Sequence, residues 1–188
     1  MKADTIIFQV EEREVDGERH RGKMILMLTC SLGGQDFCLD AGQLREVLKV
    51  PPLTRVLPGR EYIAGVVNLR GEIITCLDIR GITGGAAGEI TDRSRLIIVD
   101  TPGGKVGVLA DGVEKMIEVE ESVVQPPLST VKGRLAEYVR GEVISGEKIF
   151  VWLDLKKVLA DISSVPDIAS SPNSTAENRR LQNTDIFH

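Results

Sequence analysis

The amino-acid sequence predicts a mainly β fold built from two similar β units in tandem. Short apolar segments rich in Val, Ile and Leu recur from Met24 onward, and Gly or Pro residues separate them. This pattern is typical of the short strands of a β-sandwich or β-barrel. Few segments have helical periodicity, and the sequence repeats itself internally. A chain of 188 residues has the length of one domain, or of two small ones packed as a unit.

In chain order, residues 1–23 form a charged N-terminal extension in which "TIIFQV" could make one strand. The predicted strands then follow as "MILMLTCSL", "DFCL", "IAGVVNL", "EIITCLDI", "RLIIVD", "KVGVLA", "EVIS" and "KIFVWLDL". The segments "AGQLREVLKV" and "DGVEKMIEV" could each hold a helical turn, and "DLKKVLADI" predicts a helix with Asp154 as its N-cap. The folded part therefore spans 24–162. Because polar residues dominate 163–188, we expect a disordered tail there.

The repeat begins with "EYIAGVVNLRGEIITCLDIRGI" at Glu61 and returns 76 positions later with "EYVRGEVISGEKIFVWLDLKKV" at Glu137. A weaker similarity relates "LGGQDFCLDAGQLREVLKV" to "PGGKVGVLADGVEKMIEV" at an offset of 69. Each half thus predicts a hairpin, a short helical turn, a proline-containing crossover and a second hairpin. The shared positions are mostly apolar, Gly or capping residues, which indicates a common scaffold.

The tips of the repeated hairpins differ. Arg70 and Gly71 occupy the first tip, and Gly146 and Glu147 occupy the second. A turn needs Gly for its backbone geometry, but nothing about a turn requires Arg. Since the second copy has no cation at this position, Arg70 is not a folding requirement of the unit. Neutral surface variation and a contact specific to the first half both remain open.

The composition excludes several classes of protein. The net charge is −5, no Lys/Arg cluster is present, and the aromatic residues are one Trp, two Tyr and four Phe. These features argue against nucleic-acid binding. The sequence has no apolar run long enough to span a membrane and no signal-peptide pattern, so we expect a cytoplasmic protein without direct membrane insertion.

The sequence offers no convincing catalytic, cofactor or metal site. The two histidines, His20 and His188, lie outside the folded part, and the glycine-rich stretches match no phosphate loop. The three cysteines, Cys30, Cys38 and Cys76, are widely spaced, and we expect them to be reduced and packed. Cys30 and Cys38 would point to opposite faces across a two-residue loop, and to the same face across a three-residue loop. A binding protein is favoured, with a small cytosolic thiol enzyme as the rival.

The stretch "YIAGVVNLRGEIITCLDIRGI" resembles the signature of the CheW domain, the coupling module of bacterial chemotaxis. The resemblance extends over roughly Met24 to Ala160. It implies two SH3-like five-stranded β-barrels packed together, split and partly intertwined around 80–95. It also implies a non-catalytic adaptor that links the cytoplasmic tip of chemoreceptors to the regulatory domain of a CheA-type histidine kinase, recruited to membrane-associated arrays.

The resemblance also implies a partner-binding surface. Arg70 matches the arginine of the family's asparagine-leucine-arginine-glycine turn, and Glu46 matches a glutamate that follows the first hairpin. A guanidinium suits a carboxylate or a helix-end carbonyl of the receptor, and an exposed Leu44 beside Glu46 would give an apolar anchor. Leu44 could equally belong to the core, and Gly65 could serve only close packing. The full predicted set is Arg70, Glu46, Leu44, Gly65, Asn68, Leu69 and Gly71.

The sequence departs from the family pattern in places. The stretch "IRGITGGAAG" is glycine-rich where relatives often have a longer helical segment, and Asp40 stands where many have a small residue. These departures leave the particular partner open. The alternatives are a scaffold of a non-flagellar pathway such as twitching or gliding control, and a scaffold that binds the kinase but has lost receptors.

Overall fold

The fold is mainly β, as predicted. The structure, a computed structural model, describes residues 10–11, 22–55, 62–85, 88–127 and 131–163. In these residues the strands are β1 (Val10–Glu11), β2 (Met24–Leu32), β3 (Gln35–Asp40), β4 (Leu44–Lys49), β5 (Ile63–Leu69), β6 (Glu72–Leu77), β7 (Arg95–Thr101), β8 (Gly104–Ala110), β9 (Gly112–Glu120), β10 (Val139–Ser145) and β11 (Lys148–Leu153). One α-helix, α1 (Leu155–Ser163), follows the last of these strands.

The strands form two sheets of the same topology, and each sheet takes strands from both halves of the chain. The first sheet has the order β1-β9-β2-β3-β11-β10, in which the described residues of β1 lie at the edge. The second has the order β4-β7-β8-β6-β5. Thus the first hairpin, β2–β3, completes the sheet of the second half, and the hairpin β7–β8 completes the sheet of the first half. The repeat is real, but a contiguous half does not form a sheet by itself.

Each sheet is closed into a barrel by one antiparallel bridge. Thr54, beyond β4, exchanges two backbone hydrogen bonds of 2.9 Å with Val66 on β5. Gln125, beyond β9, does the same with Glu142 on β10, at 2.9 and 2.8 Å. The predicted pair of five-stranded barrels is therefore confirmed.

Apolar side chains form three cores. One fills the first barrel around Met27, Phe150 and Trp152, and another fills the second around Leu48, Ile74 and Leu96. The largest lies between the barrels, and α1 packs into it through its buried apolar residues. The helix begins as predicted, because the Asp154 side chain accepts a hydrogen bond of 3.1 Å from the backbone N–H of Lys157.

One of the two expected helical turns is present, and the other lies in a strand. The segment "AGQLREVLKV" has a 3-10 turn over Ala41–Gln43 and then becomes β4, and "DGVEKMIEV" is almost entirely β9. Both strands are covered on two sides. In β4, Val47 faces the core between the barrels and Leu48 faces the interior of the second barrel. In β9, Met116 packs against the core between the barrels and Ile117 faces the interior of the first barrel. A bulge between Leu44 and Glu46 also shifts the alternation. Two buried faces and a bulge therefore give a strand the apolar spacing of a helix.

The terminal regions are described only in part. Of the predicted extension, the structure describes β1 and residues 22–23, and the predicted tail beyond 163 lies outside the described residues. No helix among the residues that the structure describes is long and apolar enough to cross a membrane.

Candidate partner-binding site

The tip of the β5–β6 hairpin holds an arginine in a left-handed backbone conformation. Arg70 has a φ of 54° and Gly71 a φ of 88°, so both residues of this two-residue turn lie in the region that favours glycine. The Asn68 side chain supports the turn by accepting a hydrogen bond of 2.9 Å from the backbone N–H of Gly71. In the other repeated hairpin, Gly146 occupies the position of Arg70 with a φ of 62°. At this left-handed position the second copy of the repeat therefore has glycine, whereas the first copy has arginine.

The Arg70 side chain reaches Glu46 on β4. Its Nη1 donates to Oε1 at 3.2 Å and its Nη2 donates to Oε2 at 3.0 Å, which is a two-point pairing. The Arg70 side chain is 64% exposed, whereas that of Glu46 is only 14% exposed. A guanidinium has five N–H donors, and this pairing uses two of them. The carboxylate thus fixes the cation at the surface with donor capacity left over.

Three of the other predicted site residues face inward. Leu69 is buried in the interior of the second barrel, and Leu44 packs partly against the core between the barrels. Gly65 is buried beside the closing bridge, where an added Cβ would lie 2.7 Å from the carbonyl oxygen of Thr54. The surface part of the predicted set is thus the turn, with Asn68, Arg70 and Gly71, together with Glu46.

A buried arginine that the sequence did not single out lies where the barrels meet. Arg80 donates to both oxygens of Asp78 at 2.8 and 2.6 Å, to Asp111 at 2.8 Å and to the carbonyl oxygen of Gly88 at 2.9 Å. Asp111 in turn accepts a hydrogen bond of 2.6 Å from the backbone N–H of Gly33, in the β2–β3 turn. We call Asp78, Arg80, Gly88 and Asp111 the Arg80 cluster. It connects the end of β6 in one barrel to a hairpin of the other.

The Arg80 cluster also shifts the ionisation of its members. Burial alone would raise the pKa of Asp78, but the hydrogen bonds and charge of Arg80 outweigh burial and lower that pKa below its usual value. The hydrogen bond from Arg80 to Asp78 likewise raises the pKa of the guanidinium, so it stays charged. Asp78 and Arg80 are close in sequence, which weakly indicates that they pair. Asp111 is distant in sequence, and only the fold brings it to Arg80.

Comparison with known proteins assigns the family. The family model of the CheW-like domain matches residues 26–163, which is most of the chain. The chain belongs to the CheW-like family. The crystal structure of scaffolding protein TtCheW from Thermoanaerobacter tengcongensis superposes with a TM-score of 0.63 and 28% identity, covering 71% of this chain and 90% of that chain. The SH3-like barrel pair that the resemblance implied is therefore confirmed.

Sequence relatives agree with this assignment. The chemotaxis protein CheW of Bacillus subtilis is 30% identical over 147 residues, which is 76% of this chain and 94% of the relative. Protein PilI of Pseudomonas aeruginosa is 26% identical over 111 residues, covering 58% of this chain and 62% of PilI. The chain is thus similar in sequence to relatives with different names.

The cysteines of this CheW-like domain are buried and free, as predicted. The β2–β3 loop has two residues, so Cys30 faces the core between the barrels and Cys38 faces the interior of the first. Burial raises the pKa of Cys38 and of Cys76 to about 12, and it raises that of Cys30 further. Because the thiolate is the reactive form, none of the three has the character of a catalytic nucleophile.

Proposed function

We propose that this CheW-like protein is a non-catalytic adaptor that couples chemoreceptors, the methyl-accepting chemotaxis proteins, to a CheA-type histidine kinase. Its place would be the cytoplasm, at membrane-associated receptor arrays. Membership of the family and similarity to a protein named as a scaffold support the general role. The observation that carries the receptor assignment is the Arg70 guanidinium, which is exposed on a left-handed turn and held by Glu46.

The cost of the Arg70 conformation supports a role outside the fold. A left-handed conformation costs an L-residue other than glycine roughly 1–2 kcal/mol. An exposed ion pair such as that with Glu46 returns only about 0–1 kcal/mol. Glycine would satisfy the same turn, as Gly146 does in the second copy. A side chain that does not improve folding is best explained by a contact with a partner.

The geometry favours an acidic or carbonyl-rich partner surface. The N–H groups of Arg70 that do not pair with Glu46 can donate to a receptor carboxylate or to carbonyl oxygens at a helix end. Glu46 keeps the guanidinium oriented before the partner arrives, so less side-chain entropy is lost on binding. In this proposal Glu46 positions Arg70, and Asn68 with Gly71 holds the turn that presents it.

The test is charge reversal at the tip, with the other tip as a matched control. We expect Arg70→Glu to keep the fold, because the side chain is exposed, but to weaken receptor binding by about 1–3 kcal/mol, or roughly 5- to 150-fold. Glu147→Lys reverses the charge at the exposed tip of β10–β11 and should leave receptor affinity unchanged. Binding of each variant to a receptor fragment and to the kinase regulatory domain is measured separately.

The two partner measurements separate the possible roles. Loss of receptor affinity with kinase affinity retained supports the assignment of Arg70. Unchanged receptor affinity and kinase control in Arg70→Glu would count against it. A wild-type protein that binds the kinase but no receptor would instead be a scaffold that has lost receptors.

The similarity to PilI favours a scaffold of a non-flagellar chemosensory pathway as the second candidate. Twitching or gliding control is the output that this alternative predicts. Deletion of the gene distinguishes the two, because swimming chemotaxis is lost in one case and surface movement in the other.

A further inference from the structure

The edge of the first sheet already carries an added strand. β1 pairs in parallel with the outer edge of β9, with Val10 opposite Met116 and Glu11 opposite Ile117. Such an addition uses the backbone N–H and C=O groups that an edge strand leaves exposed. β1 thus shows which kind of segment the edge of this barrel accepts.

The second barrel has an equivalent edge on β4. In the shared topology, β4 occupies in the second sheet the position that β9 occupies in the first. In the first sheet, Met116 and Ile117 of β9 pair with Leu28 and Met27 of β2. In the second sheet, Val47 and Leu48 of β4 pair in the same way with Ile97 and Leu96 of β7. The positions that hold β1 on β9 therefore correspond to Val47 and Leu48. Among the described strands, β4 is the end of its sheet.

The charges around the two edges differ in sign. β9, with the sequence GVEKMIEVE, carries three glutamates and one lysine. β4, with the sequence LREVLK, carries Arg45, Glu46 and Lys49, and Arg95 of β7 lies opposite Lys49. The segment that forms β1 continues as "VEERE", which is acidic. The charge of this acidic segment is therefore better matched by β4 than by the β9 edge on which β1 lies.

We propose that the outer edge of β4 binds the β1 segment of a second copy of this chain as a parallel strand. Val10 and Glu11 of that copy take the places opposite Val47 and Leu48. Arg45 and Lys49 supply positive charge to the acidic residues of the incoming segment. The result is a head-to-tail contact between copies, in which each chain offers one strand and one edge. The proposal does not depend on the receptor or kinase assignment.

Cysteine cross-linking tests this contact in the full chain. In the proposed register Glu12 of one copy lies beside Lys49 of the other, on the same face, within disulfide reach. The double variant Glu12→Cys with Lys49→Cys should give a covalent dimer under mild oxidation. The control pairs Glu12→Cys with Ala136→Cys, which is exposed in the Gly133–Glu137 turn. The native thiols do not compete, because all three are buried.

We expect the Lys49 pair to give at least about tenfold more dimer than the control pair, the ratio that a preference of 1.4 kcal/mol produces. Two further variants in the Lys49 pair test the charge argument. Arg45→Glu should lower the dimer yield by repelling the segment, and Glu118→Lys should lower it by favouring the β9 edge of the same chain. Equal yields for the two pairs, or yields insensitive to both charge variants, overturn the proposal.

Discussion

Arg70 shows how a single side chain can be at odds with its backbone position. The Asn68–Gly71 turn is satisfied by local hydrogen bonding, and the repeat shows that glycine suits the left-handed position. The guanidinium instead projects from the tip and is held by a carboxylate of β4. The contribution of this side chain to the stability of the fold can therefore be measured separately from its contribution to partner binding.

We predict that Arg70→Gly changes the free energy of unfolding by less than about 1 kcal/mol. Glycine relieves the left-handed strain, but it also removes an exposed ion pair and increases the entropy of the unfolded chain. These effects on the free energy of unfolding nearly cancel. Urea unfolding measures this change, and receptor affinity measured alongside should fall as in Arg70→Glu. A loss of more than about 2 kcal/mol of stability would show that the arginine serves the fold.

Arg80 is the opposite case, because its guanidinium is buried and donates hydrogen bonds to three residues. Its side chain is 5% exposed and forms ion pairs with the carboxylates of Asp78 and Asp111. We predict that Arg80→Gln lowers the free energy of unfolding by about 3–5 kcal/mol, as expected when one partner of a buried ion pair is removed. The conservative exchange of an exposed cation, Lys156→Gln, is the control and should have little effect.

The pH dependence of unfolding gives a second measure of the same cluster. The pKa of Asp78 is lower in the fold than its ordinary value of 3.8, so its contribution is present above that pH and is lost as the pH falls through the folded pKa. Arg80→Gln removes the cause of the shift. Between pH 5 and pH 2 the variant should therefore lose less stability than the wild type, and equal acid sensitivity would contradict the role given to Asp78.

At the scale of elements, two glycines permit the closure of the barrels. An added Cβ at Gly65 would lie 2.7 Å from the carbonyl oxygen of Thr54, and one at Gly141 would lie 2.7 Å from that of Gln125. The same glycine thus recurs in both copies for one packing reason. Gly65 remains a predicted partner residue, but this contact already explains why it is glycine.

We predict that Gly65→Ala and Gly141→Ala each destabilise the protein by about 1–3 kcal/mol, the range for overpacking a close contact. Gly81→Ala is the matched control, because an added Cβ there meets nothing within 4 Å and its φ is not left-handed. Thermal unfolding of the three variants is compared. Equal melting temperatures would mean that the bridges tolerate the extra carbon by moving apart.

The elements that the sequence predicted correctly are those with one clear periodicity. The eight apolar segments chosen as strands coincide with β2, β3, β5–β8, β10 and β11, and the helix after Asp154 was found from its cap and apolar spacing. β4 and β9 were not found as strands, because each is buried on both faces and bulged. Leu44 and Val47 contact the core between the barrels, and Leu48 lies in the core of the second barrel. Together the three residues have the spacing of the apolar face of a helix.

At the scale of the whole molecule, the candidate site was only partly predictable. The motif led to Arg70 and Glu46, but their pairing joins a turn to a strand 24 positions earlier in the sequence. The Arg80 cluster similarly needs Asp111, which is 31 positions away. Such contacts depend on which hairpin completes which sheet, and a repeat in the sequence does not reveal that exchange.

The reactivity of the three cysteine thiols in the intact protein can be predicted from their burial in the cores. Each cysteine belongs to a different core. We expect all three thiols to react with a disulfide reagent at pH 8 in urea. In the native state their reaction should be much slower, because burial keeps the reagent from the sulfur and raises the pKa of each thiol. One fast thiol in the native protein would revive the thiol-enzyme alternative.

The exchange of hairpins has a consequence for how such a molecule could arise. A polypeptide of half this length, with only β2 to β6, would leave its first hairpin and its last three strands without the neighbours that each now has. Two identical polypeptides of that length could supply those neighbours to each other by trading hairpins across a twofold axis. Joining them end to end would give a single gene product whose two domains are inseparable by any cut in the connecting loop.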